Sequence, residues 1–192
     1  MHSDKTEVKR CGWCLGDALY EAYHDTEWGV PVKDDATLFE FLILETFQAG
    51  LSWITVLRKR ENFRIALDNF DYKKIARYDQ NKINELLENQ GIIRNKLKVY
   101  ATVSNALAFI KIQEEFGSFS NYYWGFVANK PVKNKVENYR EAPGTTPLSD
   151  TISKDLKKRG FKFVGSTVVY AMMQATGMVN DHEKSCFRYE EL

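Results

Sequence analysis

Residues 36–50 read ATLFEFLILETFQAG, and this run constrains the fold more than any other part of the chain. Leu38, Phe39, Leu42, Ile43, Thr46 and Phe47 recur at helical spacing, with further apolar side chains between them. Such a helix is mostly buried, so other elements must enclose it. A second run, GSTVVYAMMQATG (165–177), is apolar nearly all round and reads the same way. Two buried helices need a jacket, and the rest of the chain supplies one from short helices. Asp17 is an N-cap for a helix from Ala18 to about Asp25, and Gly50 ends the apolar run. Ser52 caps WITVLRKRENFRIAL. The stretch DQNKINELLENQG ends at Gly91, and RNKLKVYATVSNALAFIKIQEEFG is a long helix ending at Gly117. FSNYYWGFVAN is a short helix, and SDTISKDLKKRG is capped by Ser149 and closed by Gly160. The stretch Lys130–Pro147 is polar, carries three prolines and reads as a loop, while strand candidates are few, the short FKFVG (161–165) among them. The expected fold class is all-α, built of many short helices, with a long central helix pair that leaves room for two lobes and a cleft.

At 192 residues and 44% hydrophobic content, residues 11–192 suit one domain. The polar residues 1–10 read as a disordered extension with no apolar leader core. No apolar run approaches the ~18 residues of a membrane span, so no membrane association is expected. Three cysteines are an odd count that argues against a disulfide framework, and a cytoplasmic location follows as the expectation. The net charge of +1 does not exclude a nucleic-acid partner, because one face can still be basic.

The cysteines and histidines fall near the two ends of the chain. Cys11 and His24 lie near one end, and His182 and Cys186, separated by three residues, near the other. Together they make a Cys2His2 set, which suits a closed tetrahedral Zn2+ with no position left for substrate. Such an ion would be structural and would tie the terminal segments together. A surface histidine and a buried thiol satisfy the spacing of His182 and Cys186 equally well. Cys14, in the C-x-x-C beside Cys11, is a competing ligand, while a thioredoxin-type dithiol lacks its βαβ context.

Glu45 lies within a very apolar run, Phe39 to Phe47, and an isolated buried carboxylate is costly. An arginine partner is the ordinary answer. The other is a ligand pocket, because Tyr20, Tyr23 and His24 share one helix face, Trp28 follows, and Trp53 lies just past the Gly50 turn. For any single aromatic residue core packing is the simpler reading. Aromatic walls with one carboxylate suit a flat cationic guest that stacks and donates N–H groups. The turn from Gln90 to Asn95, followed by Lys96 and Lys98, suits a helix-hairpin-helix that grips a phosphate, or an ordinary helical hairpin with a solvated basic end. Two further basic groups accompany it: Arg58, Lys59, Arg60 and Arg64, and Lys154, Lys157, Lys158, Arg159 and Lys162. They suit a face that tracks a DNA backbone, or solvated helix surfaces.

The segments CGW, AYHDTEWGVP, LFEFLILE, QAGLSWITVLRKRENFR, GIIRNKLK, KRGFKFVGSTVVYAMMQATGMVNDH and the final H-x3-C closely resemble the bacterial 3-methyladenine DNA glycosylase I family. The resemblance runs from Cys11 to Cys186. It implies a helix-hairpin-helix DNA glycosylase fold, with the hairpin near residues 80–112 and a zinc site joining the N- and C-terminal segments. It implies zinc held by Cys11, His24, His182 and Cys186, and a pocket where Glu45 and Tyr23 hydrogen-bond the adenine and Trp53 stacks on it. Trp28, Trp13 and Tyr20 would line that pocket. Leu51 would act as a wedge in the duplex with Gln48 near the vacated position, and the turn bearing Gly91, Arg94 and Lys96 would hold a phosphate. Cys14 departs from the family pattern. The implied partner is double-stranded DNA with alkylated bases, acted on by a monomer, and free 3-methyladenine is the product. Relatives with this hairpin often carry an aspartate after it, but here no acid precedes Glu114 on that helix. Methylation at N3 makes the base a good leaving group, so the absence fits labile substrates. A non-catalytic hairpin DNA-binding protein and a zinc-stabilised small-ligand binder are the alternatives. Release of 3-methyladenine from alkylated DNA excludes the first, and binding to an abasic duplex counts against the second.

Overall fold

The computed structural model describes residues 8–192, and helices dominate it. Of the ten residues read as a disordered extension, 1–7 lie outside the described residues. Lys9 and Arg10 are held in place: Phe187 N donates to Lys9 O, and Arg10 clasps Asp25 at 2.8 Å.

The elements run α1 (Ala18–Thr26), α2 (Asp35–Gln48), α3 (Trp53–Leu57), α4 (Arg60–Ala66), α5 (Tyr72–Ile75), α6 (Gln80–Glu88), α7 (Lys96–Phe116) and α8 (Phe119–Gly125). Then come β1 (Val132–Lys133), α9 (Pro147–Lys158), α10 (Ser166–Ala175), β2 (Val179–Asn180) and α11 (Arg188–Glu191). The two apolar runs are α2 and α10, and they pack on each other. Helix α2 also meets α3, α7 and α8, so it has neighbours on most sides. This is why residues 41 to 47 of α2 are all buried and no polar stripe survives in its sequence. Asp34 caps α2 through Thr37 N at 2.8 Å. Asp35 reaches across to Phe119 N (2.9 Å) and Ser120 N (2.8 Å), capping α8 and fixing where α2 starts against it.

Four local expectations change. FKFVG is not a strand: the Asn105 side chain takes both Lys162 N (2.7 Å) and Lys162 O (3.1 Å), which leaves no ladder to form. The cap of α9 is Thr146, and Ser149 sits at the third helical position and completes a capping box. The segment after Ser52 divides into α3 and α4 at Arg58–Lys59, and the Ser52 hydroxyl pairs with Thr55 Oγ1 (2.7 Å) instead of the helix backbone. The proline-bearing loop contains β1, which pairs in parallel with β2 in the register Val132↔Val179 and Lys133↔Asn180, and Val136 bridges Glu183 further on. This small ribbon holds the segment that carries His182.

Gly177 closes α10 with φ +69°, and a Cβ there would lie 2.5 Å from backbone atoms of Gly29, Val30 and Pro31. Gly177→Ala therefore forces backbone apart in a left-handed conformation. It is expected to cost roughly 3 kcal/mol or more in a urea unfolding measurement.

Candidate base-binding pocket and metal centre

The α1 helix brings Tyr20, Tyr23 and His24 to the face that meets Trp13, because Asp17 fixes its start by accepting from Leu19 N (3.0 Å) and Tyr20 N (3.1 Å). A cavity of about 220 Å3 opens between α1, α2, α3 and α10. It is lined by Trp13, Tyr20, Tyr23, Trp28, Glu45, Gln48 and Trp53, so every residue assigned to the pocket, with Gln48, is gathered in one place. The walls are aromatic. Trp13 sits 4.8 Å from Tyr20 and 4.9 Å from Trp28, and Tyr23 sits 5.5 Å from Trp53.

Glu45 is 3% exposed, and among the described residues no arginine pairs with it. Its Oε2 is buried with no hydrogen-bond partner, as is Trp53 Nε1. Burial pushes the Glu45 carboxyl up to about 8, so it holds a proton at neutral pH in the free protein. Burial likewise pushes the Tyr23 phenol well above its usual value, leaving it a neutral donor. Tyr139, Ala142, Ala171, Gln174 and Asp181 also line the cavity, and sequence reasoning misses them. Gln174 is a lone polar residue in an apolar run, the same signal that singles out Glu45. Asp181 accepts from Tyr170 Oη (2.5 Å), Gln174 Nε2 (2.8 Å) and Asn134 Nδ2 (2.6 Å). Nothing local marks Tyr139, which is placed by long-range pairing: its N–H donates to Glu183 at 2.8 Å.

Cys11, His24 and Cys186 form a buried group able to hold a metal ion, with ligand atoms within 4.8 Å of one another. His24 Nδ1 donates to Asp25 Oδ1 at 2.8 Å, since a carboxylate only accepts, and this makes Nε2 the acceptor, facing Cys11 N–H and Cys186 Sγ at 3.4 Å each. The His182 ring lies 5.1 Å from that of His24, and its Nε2 is buried without a partner. Asn180 donates its amide to Tyr189 O (3.2 Å), so its oxygen faces His182 Nδ1 (3.0 Å) and that nitrogen carries the hydrogen. Both imidazoles thus turn an unprotonated nitrogen toward the thiols or the cluster interior, each ring held by a hydrogen bond through its other nitrogen, an orientation that suits metal ligation. Burial pulls His182 down to about 3, which keeps it neutral. The Cys11 thiol, with help from His24, holds Cys186 below the usual thiol range, while Cys186 pushes Cys11 up. The Cys14 thiol donates to Cys11 O at 3.1 Å and stands outside the group.

A Cβ on Gly29 would sit 2.5 Å from His182 Cε1. Gly29→Ala is therefore expected to displace this ring and weaken metal retention by about tenfold or more, read by competition with a chromogenic chelator. The pocket shares walls with this centre, because Trp28 packs 4.6 Å from His182 and Trp13 packs 5.4 Å from His24.

Leu51 is 44% exposed on the turn between α2 and α3, next to half-buried Gln48. Arg94 is exposed on the α6–α7 turn, and Lys96 is exposed at the start of α7. Gly91 N–H is taken by Asn89 Oδ1 at 2.8 Å, so the donors this turn offers lie further on, in the first turn of α7. Several of the basic residues grouped by sequence serve the fold. Arg60 is buried between Glu27 and Glu40 (2.6 Å each), Arg64 pairs with Glu40 and Glu61, and Arg58 pairs with Asp17. Arg159 pairs with Asp155 and Glu115 at 2.7 Å each.

A helical shell thus encloses an aromatic cavity with two buried carboxyls, Asp181 hydrogen-bonded and Glu45 with an unpartnered oxygen. The structure superposes on a crystal structure of 3-methyladenine DNA glycosylase I with a TM-score of 0.90 and 49% identity, over 93% of this chain and 98% of that one. The Staphylococcus aureus enzyme, solved to explain 3-methyladenine recognition, gives a TM-score of 0.90 at 34% identity, over 94% of this chain and 96% of that one. In sequence, the chain is 47% identical to DNA-3-methyladenine glycosylase 1 of Escherichia coli (strain K12) over 182 residues, 95% of this chain and 97% of that protein. The sequence profile of the methyladenine glycosylase family matches residues 13–189, and the chain belongs to this family.

Proposed function

We propose that the chain excises 3-methyladenine from DNA, hydrolysing the N-glycosidic bond and leaving an abasic site. The observation that carries this is Glu45, a buried carboxyl with an unpartnered oxygen inside an aromatic cavity. In the free pocket Glu45 is neutral. A base methylated at N3 enters as a cation, and two magnitudes decide whether the carboxyl keeps its proton. Ionising a group of pKa about 8 at pH 7 costs about 1.4 kcal/mol. A cation about 4 Å away returns about 4 kcal/mol at an effective dielectric of ~20. Glu45 therefore gives up its proton as the cation arrives. Its carboxylate then accepts from the exocyclic amine that adenine carries, whereas guanine offers an acceptor oxygen at that edge. Tyr23 donates a further hydrogen bond and Trp53 stacks on the ring, with Trp13, Trp28 and Tyr20 closing the walls.

When the bond breaks, its electron pair goes to the base, which leaves neutral, and positive charge passes to the sugar until water attacks. The total charge in the site stays at one, so the Glu45 carboxylate supports the complex throughout. It takes its proton back once the sugar has been quenched. Leu51 fills the gap left by the extruded nucleotide, Gln48 faces the vacated position, and Arg94 and Lys96 grip a phosphate at a helix-hairpin-helix formed by α6 and α7.

A single structural Zn2+ fits Cys11, His24, His182 and Cys186. The support is the orphaned His182 Nε2, the two oriented imidazoles and a pair of thiols that cannot both ionise unless a cation joins them. The ion, when bound, clamps the terminal segments and thereby the Trp13 and Trp28 walls. The test of the function is chromatography of bases released from methylated duplex DNA. A free 3-methyladenine peak is expected, and its absence with intact protein would overturn the reading.

A further inference from the structure

The Lys98 ammonium is nearly buried, the residue being 6% exposed, and among the described residues no carboxylate pairs with it. Burying an ammonium is costly unless it is well hydrogen-bonded. Lys98 Nζ instead donates to two main-chain carbonyls, Phe47 O at 2.9 Å and Ala49 O at 2.6 Å. These lie at the C-terminus of α2, where the last carbonyls of a helix lack internal partners. The backbone of Lys98 is itself tied to the hairpin turn, since its N–H donates to Asn95 Oδ1 at 3.1 Å.

A second lysine makes the converse link. Lys59 stands at the junction of α3 and α4, just past the turn that carries Leu51. Its Nζ donates to Gln90 O (3.3 Å) and Gly91 O (3.2 Å), and Asn62 Nδ2 adds a bond to Gly91 O at 3.3 Å. The Gly50–Ser52 turn is thus flanked by α2, held from the hairpin helix, and by α3, which leads into a hold on the hairpin turn. Gly50 has φ +82° and Leu51 N donates to Gln48 O at 2.6 Å, so the turn itself is tight.

We infer that Lys98 and Lys59 form a two-way clasp that joins the Leu51 turn and the α6–α7 hairpin into one unit, so that gripping the DNA backbone sets the depth of the wedge. Both are positioning residues, and neither is placed against the base. The inference rests on the function proposed above, with Leu51 as wedge and the hairpin on phosphate. It explains why a lysine is buried where an apolar residue would pack with less desolvation. Burial also pulls the Lys98 pKa down, a desolvation cost that the two carbonyl hydrogen bonds offset.

The clasp matters only where a stacked base must be extruded, and this distinguishes it from a merely structural role. Lys98→Met and Lys59→Met would be compared with the wild type for 3-methyladenine release from the same methylated DNA, duplex or heat-denatured. Binding of free 3-methyladenine and the melting temperature would be followed in parallel. Each variant is expected to lose about tenfold or more on duplex DNA, the scale of losing hydrogen bonds to a charged group. Release from denatured DNA and binding of the free base should change by less than about twofold. Equal losses on both substrates, or no loss on duplex, would overturn the clasp. If Lys98→Met does not fold, Lys59→Met decides, because that side chain sits at the surface junction. Wild-type protein that released nothing from either substrate would sink the proposed function and the clasp with it, whereas an active wild type with unaffected variants sinks the clasp alone.

Discussion

Glu45→Gln is expected to lower kcat/KM for 3-methyladenine excision at pH 7 by roughly a hundredfold while making the protein more stable. The activity loss follows from the two magnitudes that govern the pocket. The cation returns about 4 kcal/mol to a carboxylate at close range, against about 1.4 kcal/mol to ionise it. Glutamine gives up the difference, a little over 2 kcal/mol, while keeping the shape of the side chain. The pH profile gives the sharper signature. In the free enzyme Glu45 titrates near 8, and the form that receives the cation is the ionised one. The wild-type kcat/KM should therefore rise about tenfold per unit as pH increases toward 8 and level off above it. The glutamine variant should be flat over the same range. A wild-type profile that fell through this window would mean that the protonated carboxyl is the working form, and the charge argument would fail.

Stability should move the other way. Glu45 has its folded pKa raised, from 4.5 to about 8. Between those values the folded state binds more protons than the unfolded one, so stability falls as pH rises across that window. The cost grows by about 1.4 kcal/mol per pH unit, reaching on the order of 3 kcal/mol at neutral pH. Glu45→Gln removes this dependence. Urea unfolding at pH 5, 7 and 8.5 should show the variant gaining on the wild type at each step. A gap between the two that stayed constant with pH would show that Glu45 is not buried and unpaired in the way described. Loss of activity with gain of stability is the expected mark of a group kept for its ligand and not for the fold.

The sequence carried most of this site because its signals were local anomalies. A glutamate deep in an apolar helix, aromatic residues on one face of α1, and cysteine and histidine at both ends each stand out without knowledge of the fold. Helix ends were equally plain where a side chain does the capping, as at Asp17, or where a glycine adopts positive φ, as at Gly50, Gly117 and Gly160. What stayed hidden depends on partners distant along the chain. FKFVG has strand composition, but Asn105, 57 residues away, takes the polar groups of Lys162. Arg60 and Arg64 look like a DNA-facing pair until Glu40, on another helix, is seen to hold both. Tyr139 reaches the pocket because Glu183, next to His182, accepts its N–H. Charge and propensity are local quantities, while their use is settled by contacts that periodicity does not encode.

Removing one thiolate from the terminal cluster should have the larger effect on the protein as a whole. Cys11→Ser is expected to abolish retention of Zn2+, to lower the melting temperature on the order of 10 °C, and to weaken 3-methyladenine binding. Cys14→Ser, three residues on, should leave all three unchanged, because its thiol only donates to Cys11 O. The contrast is informative since both cysteines are fully buried, so simple loss of packing would affect them alike. Apparent zinc affinities of structural sites correspond to about 10–16 kcal/mol. Only part of that should appear as stability here, because the core around α2 and α10 stands without the clamp, and each 1 kcal/mol shifts the melting point by about 2–4 °C in a chain of this size. The binding loss follows from shared walls. Trp28 packs on His182 and Trp13 on His24, and Glu183 accepts from both Gly12 N (3.2 Å) and Tyr139 N (2.8 Å), so freeing the ligand loop loosens three sides of the cavity together. His182→Ala should reproduce the Cys11→Ser result, since an orphaned imidazole nitrogen has no other use in that position. Metal analysis of the purified proteins, melting curves and base titration give the three readouts. Zinc retained by Cys11→Ser but lost from Cys14→Ser would return Cys14 to the ligand set, and zinc absent from the wild type prepared without chelator would remove the clamp altogether.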